Sequence, residues 1–146
     1  MDARERREIE EACKGLVVSL VHHSDHGVDE AAVDLFTADG VWVRGGKPFT
    51  GRDQLLQSFA ARSKSVVTRH FTSNIRIVVT DDDNAEGVSY FMAFNHDSGT
   101  DQPELPLPVN LPFSIGEYHD KFVCTPAGWR FAHRMIKRVF QRAADK

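Results

Sequence analysis

The sequence predicts an α+β fold in which three helices precede an antiparallel sheet. Up to about residue 63, apolar residues recur at the three- and four-residue spacing of amphipathic helices. From residue 66 onward the apolar pattern changes to a period of two, which is typical of strands. Helices followed by a run of strands indicate an α+β fold rather than alternating βαβ units. A length of 146 residues favours a single domain, 1–146.

The composition excludes several classes of function. A net charge of −3 argues against general nucleic-acid binding. Cys13 and Cys124 lie far apart, without the spacing of a metal site, so we expect two reduced thiols and no metal. The charged N-terminus does not resemble a signal peptide, and no apolar run is long enough to span a bilayer. We therefore expect a cytoplasmic protein without membrane or nucleic-acid partners.

Residues 2–24 predict the first helix, since Leu16 and Leu20 continue an apolar stripe opposite arginines and glutamates. The helix ends in a polar cluster that includes His22 and His26. These two histidines have the spacing of a helical metal pair, but no second pair of ligands accompanies them. We therefore interpret the cluster as the end of a helix, where histidine is favoured by the helix dipole.

Two shorter helices are predicted next, separated by a short strand. Residues 29–36 predict a helix that begins at a possible cap, Asp29. Residues 41–43 are β-branched or aromatic and predict a short strand. Thr50 and Asp53 have the spacing of a capping box at the start of a helix over 51–63.

Four long strands are predicted in the second half of the chain. The period-two runs cover 67–80, 85–96, 113–125 and 129–140, and an aspartate-rich hairpin turn connects the first two. On the first of these strands, the odd positions are apolar except for Arg69 and Ser73, and the even positions, which include His70, Thr72 and Asn74, are polar except for Val78. This polar face could meet solvent or line a cavity.

A proline-rich segment, residues 97–112, interrupts the strands. Loops of this length often serve as lids or binding loops. Because exposed apolar side chains are unfavourable, we expect Leu105, Leu107 and Val109 to be mostly buried, over a pocket mouth or a dimer seam.

Five local phrases, in order, resemble the SnoaL-like branch of the NTF2-like superfamily. They are Asp29 to Gly40 followed by Val41-Trp42, Thr50-Gly51-Arg52-Asp53-Gln54-Leu55, Arg69-His70-Phe71-Thr72-Ser73-Asn74-Ile75, Gly116-Glu117-Tyr118-His119-Asp120, and Gly128-Trp129-Arg130-Phe131-Ala132. The resemblance implies an NTF2-like cone, in which three N-terminal helices pack on a strongly curved antiparallel sheet that encloses a cavity. It also implies a two-fold homodimer formed through the convex face of the sheet.

Within this superfamily the chain resembles the scytalone dehydratase type most. That resemblance implies catalytic roles for Asp25, His70 and His96, because this type pairs an aspartate after the first helix with strand histidines. Counting outward from the hairpin turn places residue 70 near residue 95, independently of any family. We therefore predict that the three side chains share one cavity and that Asp25 hydrogen-bonds one ring. Aromatic or polar strand residues are predicted to bind substrate: Trp42, Asn74, Tyr90 and Tyr118.

These residues predict cofactor-free acid–base catalysis on a small hydrophobic carbonyl or hydroxy compound: dehydration, isomerisation or cyclisation. An aspartate that orients a histidine makes it a better base, and such chemistry requires no metal or organic cofactor. Two alternatives stay open, because one fold supports many functions. The cavity could bind a small ligand without catalysis, or the chain could be a structural subunit resembling the small subunit of ring-hydroxylating dioxygenases.

Overall fold

The computed structural model describes residues 1–109 and 111–143. The helices are α1 (Ala3–Asp25), α2 (Asp29–Val33) and α3 (Gly51–Ala60). The strands are β1 (Phe36–Arg44), β2 (Lys47–Thr50), β3 (Val66–Val79), β4 (Asn84–Asp97), β5 (Ser114–Thr125) and β6 (Gly128–Gln141). This order confirms the α+β class and the predicted sequence of helices and long strands.

The strands form one curved sheet in the order β2-β1-β6-β5-β4-β3. β3 to β6 form the predicted antiparallel meander, and β1 pairs with β6 in parallel. β2 was not predicted, because a four-residue run that contains Pro48 carries little strand signal. Gly45 and Gly46 both have positive φ, as a tight hairpin turn requires, and β2 is an edge strand where proline is tolerated.

Helix α1 begins with a capping box in which Asp2 and Glu5 exchange side-chain to backbone hydrogen bonds. Its buried stripe packs on β3 and β6 and ends at Asp25. Helix α2 is shorter than predicted, because Phe36 already belongs to β1, and α3 ends at Ala60, three residues before its predicted end. The main core lies between the helices and the sheet; its largest buried side chains include Leu20, Leu55, Phe122 and Phe131.

Within the described residues, no helix is both apolar and long enough to cross a membrane.

A one-residue bulge at Asn74 divides β3 into two halves. Asn74 has a φ of 52°, and the register with β4 shifts between Ser73 and Arg76. Before the bulge, even positions such as His70 face the concave side, and after it the odd positions do. The prediction of one apolar and one polar face along the whole strand is therefore wrong. The concave face is polar in one half, and in the other half it carries the buried or half-buried Ile75, Ile77 and Val79.

The proline-rich segment does not pack as predicted. Leu105 and Val109 are exposed by 66% and 71%, and only Leu107 is half-buried. Prolines lack the backbone N–H that would anchor the segment to a sheet edge. Pro103 and Leu105 instead border a groove on the outside of the molecule. Asn110 lies outside the described residues.

Candidate active site

A cavity of about 200 Å³ lies between the end of α1 and the concave face of the sheet. Leu20 and Val21 of α1 form one wall, and Phe91, Tyr118 and Ile136 of the sheet form another. Its remaining lining includes Trp42, Thr68, His70 and a set of arginines: Arg44, Arg62, Arg134 and Arg138. The cavity is thus apolar on two sides, with cationic and hydrogen-bonding groups between them.

Asp25 and His70 form a hydrogen-bonded pair, but only His70 lines the cavity; Asp25 borders the outer groove of Pro103 and Leu105, so the prediction that Asp25 also faces the cavity is wrong. The Nδ1 atom of His70 lies 2.6 Å from Oδ1 of Asp25. The His70 backbone N–H donates to Oδ2 at 2.8 Å, and the Thr68 hydroxyl donates to Oδ1 at 2.9 Å. The end of α1 therefore delivers the carboxylate to the polar half of β3, where three donors fix its position. This contact confirms the prediction that Asp25 reaches one of the two rings.

The protonation of the pair follows from its geometry. Burial acts to raise the pKa of the Asp25 carboxyl, but the hydrogen bonds and charge of His70 and the Thr68 hydroxyl outweigh it. The net pKa of Asp25 is therefore below its ordinary value. An ionised carboxylate only accepts hydrogen bonds, so Nδ1 of His70 is the donor in this contact. No described residue bonds Nε2, which is therefore the ring nitrogen available to a molecule in the cavity.

His96 lies on the other face of the sheet, so the prediction that it shares the cavity is wrong. It pairs with Val67, whereas His70 pairs with Ala93, which lines the cavity. Directly paired residues share a face, and successive residues alternate. Without the bulge at Asn74, His96 would lie opposite Thr68 and would face the cavity. The extra residue shifts the register by one and turns the ring to the convex side.

Two of the four predicted substrate-binding residues line the cavity, and two do not. Trp42 and Tyr118 are buried side chains that line the cavity. Asn74 occupies the bulge and is exposed. Tyr90 is exposed because it pairs with Ser73 on the convex side. The predicted roles of Asn74 and Tyr90 are therefore not compatible with this cavity.

Sequence reasoning missed a buried ion pair beside the cavity. Arg134 donates from Nε and Nη2 to the two carboxylate oxygens of Asp120, at 2.7 and 2.8 Å, and both side chains are almost fully buried. The β5–β6 hairpin contains the signal, because counting back from the turn places Asp120 near residue 133. A bulge near Phe122 shifts the partner to Arg134. Among the described residues, no group of three or more His, Cys, Asp and Glu side chains is placed to hold a metal.

The match to a family model identifies the class of protein. Residues 5–135 match the model of the SnoaL-like domain, and the chain therefore belongs to that family, as its motifs predicted. No curated protein matches the sequence.

Solved structures of similar fold agree with this assignment. An NTF2-like protein with a cystatin-like fold from Novosphingobium aromaticivorans is 23% identical, with a TM-score of 0.77 over 97% of this chain and 89% of that one. A proposed scytalone dehydratase from the same organism is 19% identical, with a TM-score of 0.79 over 99% and 93% of the two chains. A type 2 hexachlorocyclohexane dehydrochlorinase is 13% identical, with a TM-score of 0.79 over 95% and 90%. At these identities the likeness establishes the fold alone.

Proposed function

We propose that the protein is an acid–base catalyst in which His70 removes a proton from carbon and Asp25 orients and stabilises the ring. The observation that carries the proposal is the Asp25–His70 pair, whose ring lines an open cavity, with Nε2 of His70 not bonded by any described residue. The substrate is a small hydrophobic carbonyl or hydroxy compound, and the reaction is an elimination, isomerisation or cyclisation. A dehydratase and a dehydrochlorinase of similar fold support the elimination class.

The geometry defines what each group does. Nε2 of His70 takes a proton from the carbon next to a carbonyl, and the electron pair of the broken C–H bond moves toward the carbonyl oxygen. The imidazolium that forms is stabilised by the ionised Asp25, which accepts the Nδ1 proton. In a dehydration the bond from the β-carbon to the hydroxyl then breaks, and the proton on Nε2 leaves with that hydroxyl as water. In an isomerisation the same proton returns to a different carbon.

The position of His96 limits these reactions. With a single histidine at the cavity, one ring both removes and delivers the proton. A ring on one wall reaches one face of a bound substrate. We therefore expect proton removal and delivery on the same face, rather than the opposite-face transfer that two facing histidines would allow.

Non-catalytic binding of a small ligand is the second candidate. The displacement of His96 to the convex side favours it, since one of the two predicted acid–base groups is missing from the cavity. The structural-subunit alternative predicts a cavity filled by side chains, and the cavity of about 200 Å³ gives it no support.

Hydrogen–deuterium exchange at carbon tests the catalytic proposal. Enolisable ketones and β-hydroxy carbonyl compounds are incubated with the protein in D₂O, and exchange and elimination are followed by NMR. We expect His70→Ala to reduce the rate of an accepted compound by about 10²–10⁴-fold, the usual contribution of a general base. Asp25→Asn should also reduce the rate, and His96→Gln serves as the matched control. A His70→Ala protein as active as wild type contradicts the proposal. Binding without exchange favours the ligand-binding alternative.

A further inference from the structure

Two buried donors without partners belong to paired residues of neighbouring strands that border the cavity. Trp42 of β1 and Arg134 of β6 are register partners, so their side chains are neighbours on the concave face. Trp42 is 6% exposed and Arg134 is fully buried. Among the described residues, neither Nε1 of Trp42 nor Nη1 of Arg134 has a hydrogen-bond acceptor. Buried donors are normally paired, so two unpaired donors on neighbouring strands beside a cavity indicate a site for ligand oxygens.

The planar shape of the guanidinium shows which part of Arg134 is available. Nε and Nη2 are both used by Asp120, which binds them as a fork. The remaining nitrogen, Nη1, therefore lies on the side away from Asp120. Arg134 borders the cavity without exposing surface to it, so a ligand that bonds Nη1 must displace neighbouring side chains.

Two more arginines give the cavity a positive charge. Arg44 stacks over the Trp42 ring, with its guanidinium carbon 5.0 Å from the ring centroid, and donates to the backbone oxygen of Ser58. Arg62 donates to the Thr68 hydroxyl. Within the described part of the chain neither arginine forms an ion pair. Burial, together with the charge of Arg62, lowers the pKa of Arg44, so the two cations are close enough to repel each other.

We propose that this cavity selects a substrate that carries a carboxylate, bound by Nη1 of Arg134 and Nε1 of Trp42. A carboxylate offers two acceptor oxygens to these two donors, and its permanent charge offsets the repulsion between Arg44 and Arg62 in the bound state. A neutral carbonyl would satisfy the donors but not the charge. The volume of about 200 Å³ suits a small organic acid, which would extend from the donors toward His70. The assignment of the bound acid as a substrate rests on the proposed function.

Matched pairs of small acids and amides test the carboxylate site. 2-Oxobutanoate, 4-oxopentanoate and 3-hydroxybutanoate, which all carry a proton next to a carbonyl or carboxyl group, are titrated calorimetrically against the protein, each beside its neutral amide. At least one acid should bind at least about tenfold more tightly than its amide, since hydrogen bonds to charged groups are the stronger ones. Trp42→Phe keeps the ring but removes the donor, and should weaken the acid about five- to tenfold without affecting the amide. Arg44→Gln should also weaken the acid.

The controls separate this inference from the catalytic proposal. Trp129→Phe, a change of the same kind outside the cavity, should bind the acid as wild type does. His70→Ala should lose exchange at carbon and still bind the acid. The carboxylate site is overturned if no acid exceeds its amide, or if Trp42→Phe and Arg44→Gln bind the acid unchanged. Failure of the catalytic proposal would instead appear as tight, Trp42-dependent acid binding with no exchange at carbon.

Discussion

Protonation of Asp25 at low pH should affect both the candidate site and the stability of the fold. Its pKa is lowered in the folded protein, although burial acts in the opposite direction. A carboxyl with a lowered folded pKa stabilises the fold fully above its unfolded pKa, about 3.9, and that contribution is lost as the pH falls through the folded value. The loss therefore belongs to the acid range, below about pH 4.

Asp25→Asn should accordingly lower the free energy of unfolding at neutral pH. The difference from wild type should shrink below about pH 4, where the wild-type carboxyl becomes protonated. Urea unfolding of both proteins between pH 3 and pH 7 measures this difference. Asp101→Asn, in the exposed loop, is the control and should give a small difference at every pH. A difference for Asp25→Asn that does not change with pH would contradict the assignment.

Loss of the buried ion pair between Asp120 and Arg134 should destabilise the fold more than loss of an exposed ion pair. Removing one partner leaves the other charge buried and uncompensated, which costs about 3–5 kcal/mol. Asp120→Ala should therefore lower the free energy of unfolding by about that amount. Asp34→Ala breaks the exposed contact with Arg52 and should cost less than about 1 kcal/mol. Similar losses for the two variants in urea unfolding would count against this account.

At the same scale, the sequence predicted individual contacts only in part. Asp25 and His70 are 45 positions apart, and family resemblance rather than local pattern brought them together. The role of Arg134 was missed because its partner Asp120 lies 14 positions away, on the neighbouring strand. Local periodicity does not record which long-range partner a charged side chain meets.

The elements themselves were largely predictable, and the error that affects the site lies in β3. The change of period from 3.6 to 2 located the long helices and strands, because it reflects which side chains are buried. The bulge at Asn74 leaves no comparable signal. This one extra residue exchanges the two faces in half of the strand, so that His96 faces away from the cavity. The strands themselves were predicted correctly, but the pairing register that decides the position of His96 was not.

Asn74 should tolerate only residues that accept a positive φ. Asn74→Gly should leave stability nearly unchanged, whereas Asn74→Val should cost about 1–2 kcal/mol, the penalty of the left-handed conformation. Ser73→Val is the matched control, because it places the same side chain at an exposed neighbouring position. Chemical unfolding compares the three variants. If Asn74→Val is no less stable than Ser73→Val, the bulge is not fixed by this residue.

At the scale of the whole molecule, the convex face of the sheet carries a continuous row of apolar side chains. Phe71, Met92, Ile115 and Phe140 form one row across β3 to β6, because each is the register partner of the next. Phe71 and Phe140 are exposed by 63% and 66%. Apolar side chains that continue across four strands are typical of an interface.

The two-fold dimer predicted from the family resemblance should use this row. Light scattering at micromolar concentration should give the mass of two chains for wild type and of one chain for Phe71→Lys with Met92→Lys. Val18→Lys, which replaces an exposed apolar residue of α1, should not change the mass. A wild-type monomer would contradict the prediction.

The parallel pairing of β1 with β6 has a consequence for the order in which the protein is made. During synthesis β1 leaves the ribosome early, and β6 follows after every other strand of the described residues. The two strands can pair only after the entire meander between them has emerged, which makes this a slow contact of high sequence separation. Trp42 and Arg134 thus become neighbours only after β6 has emerged. A nascent chain that ends before β6 has no complete cavity in which to bind a ligand.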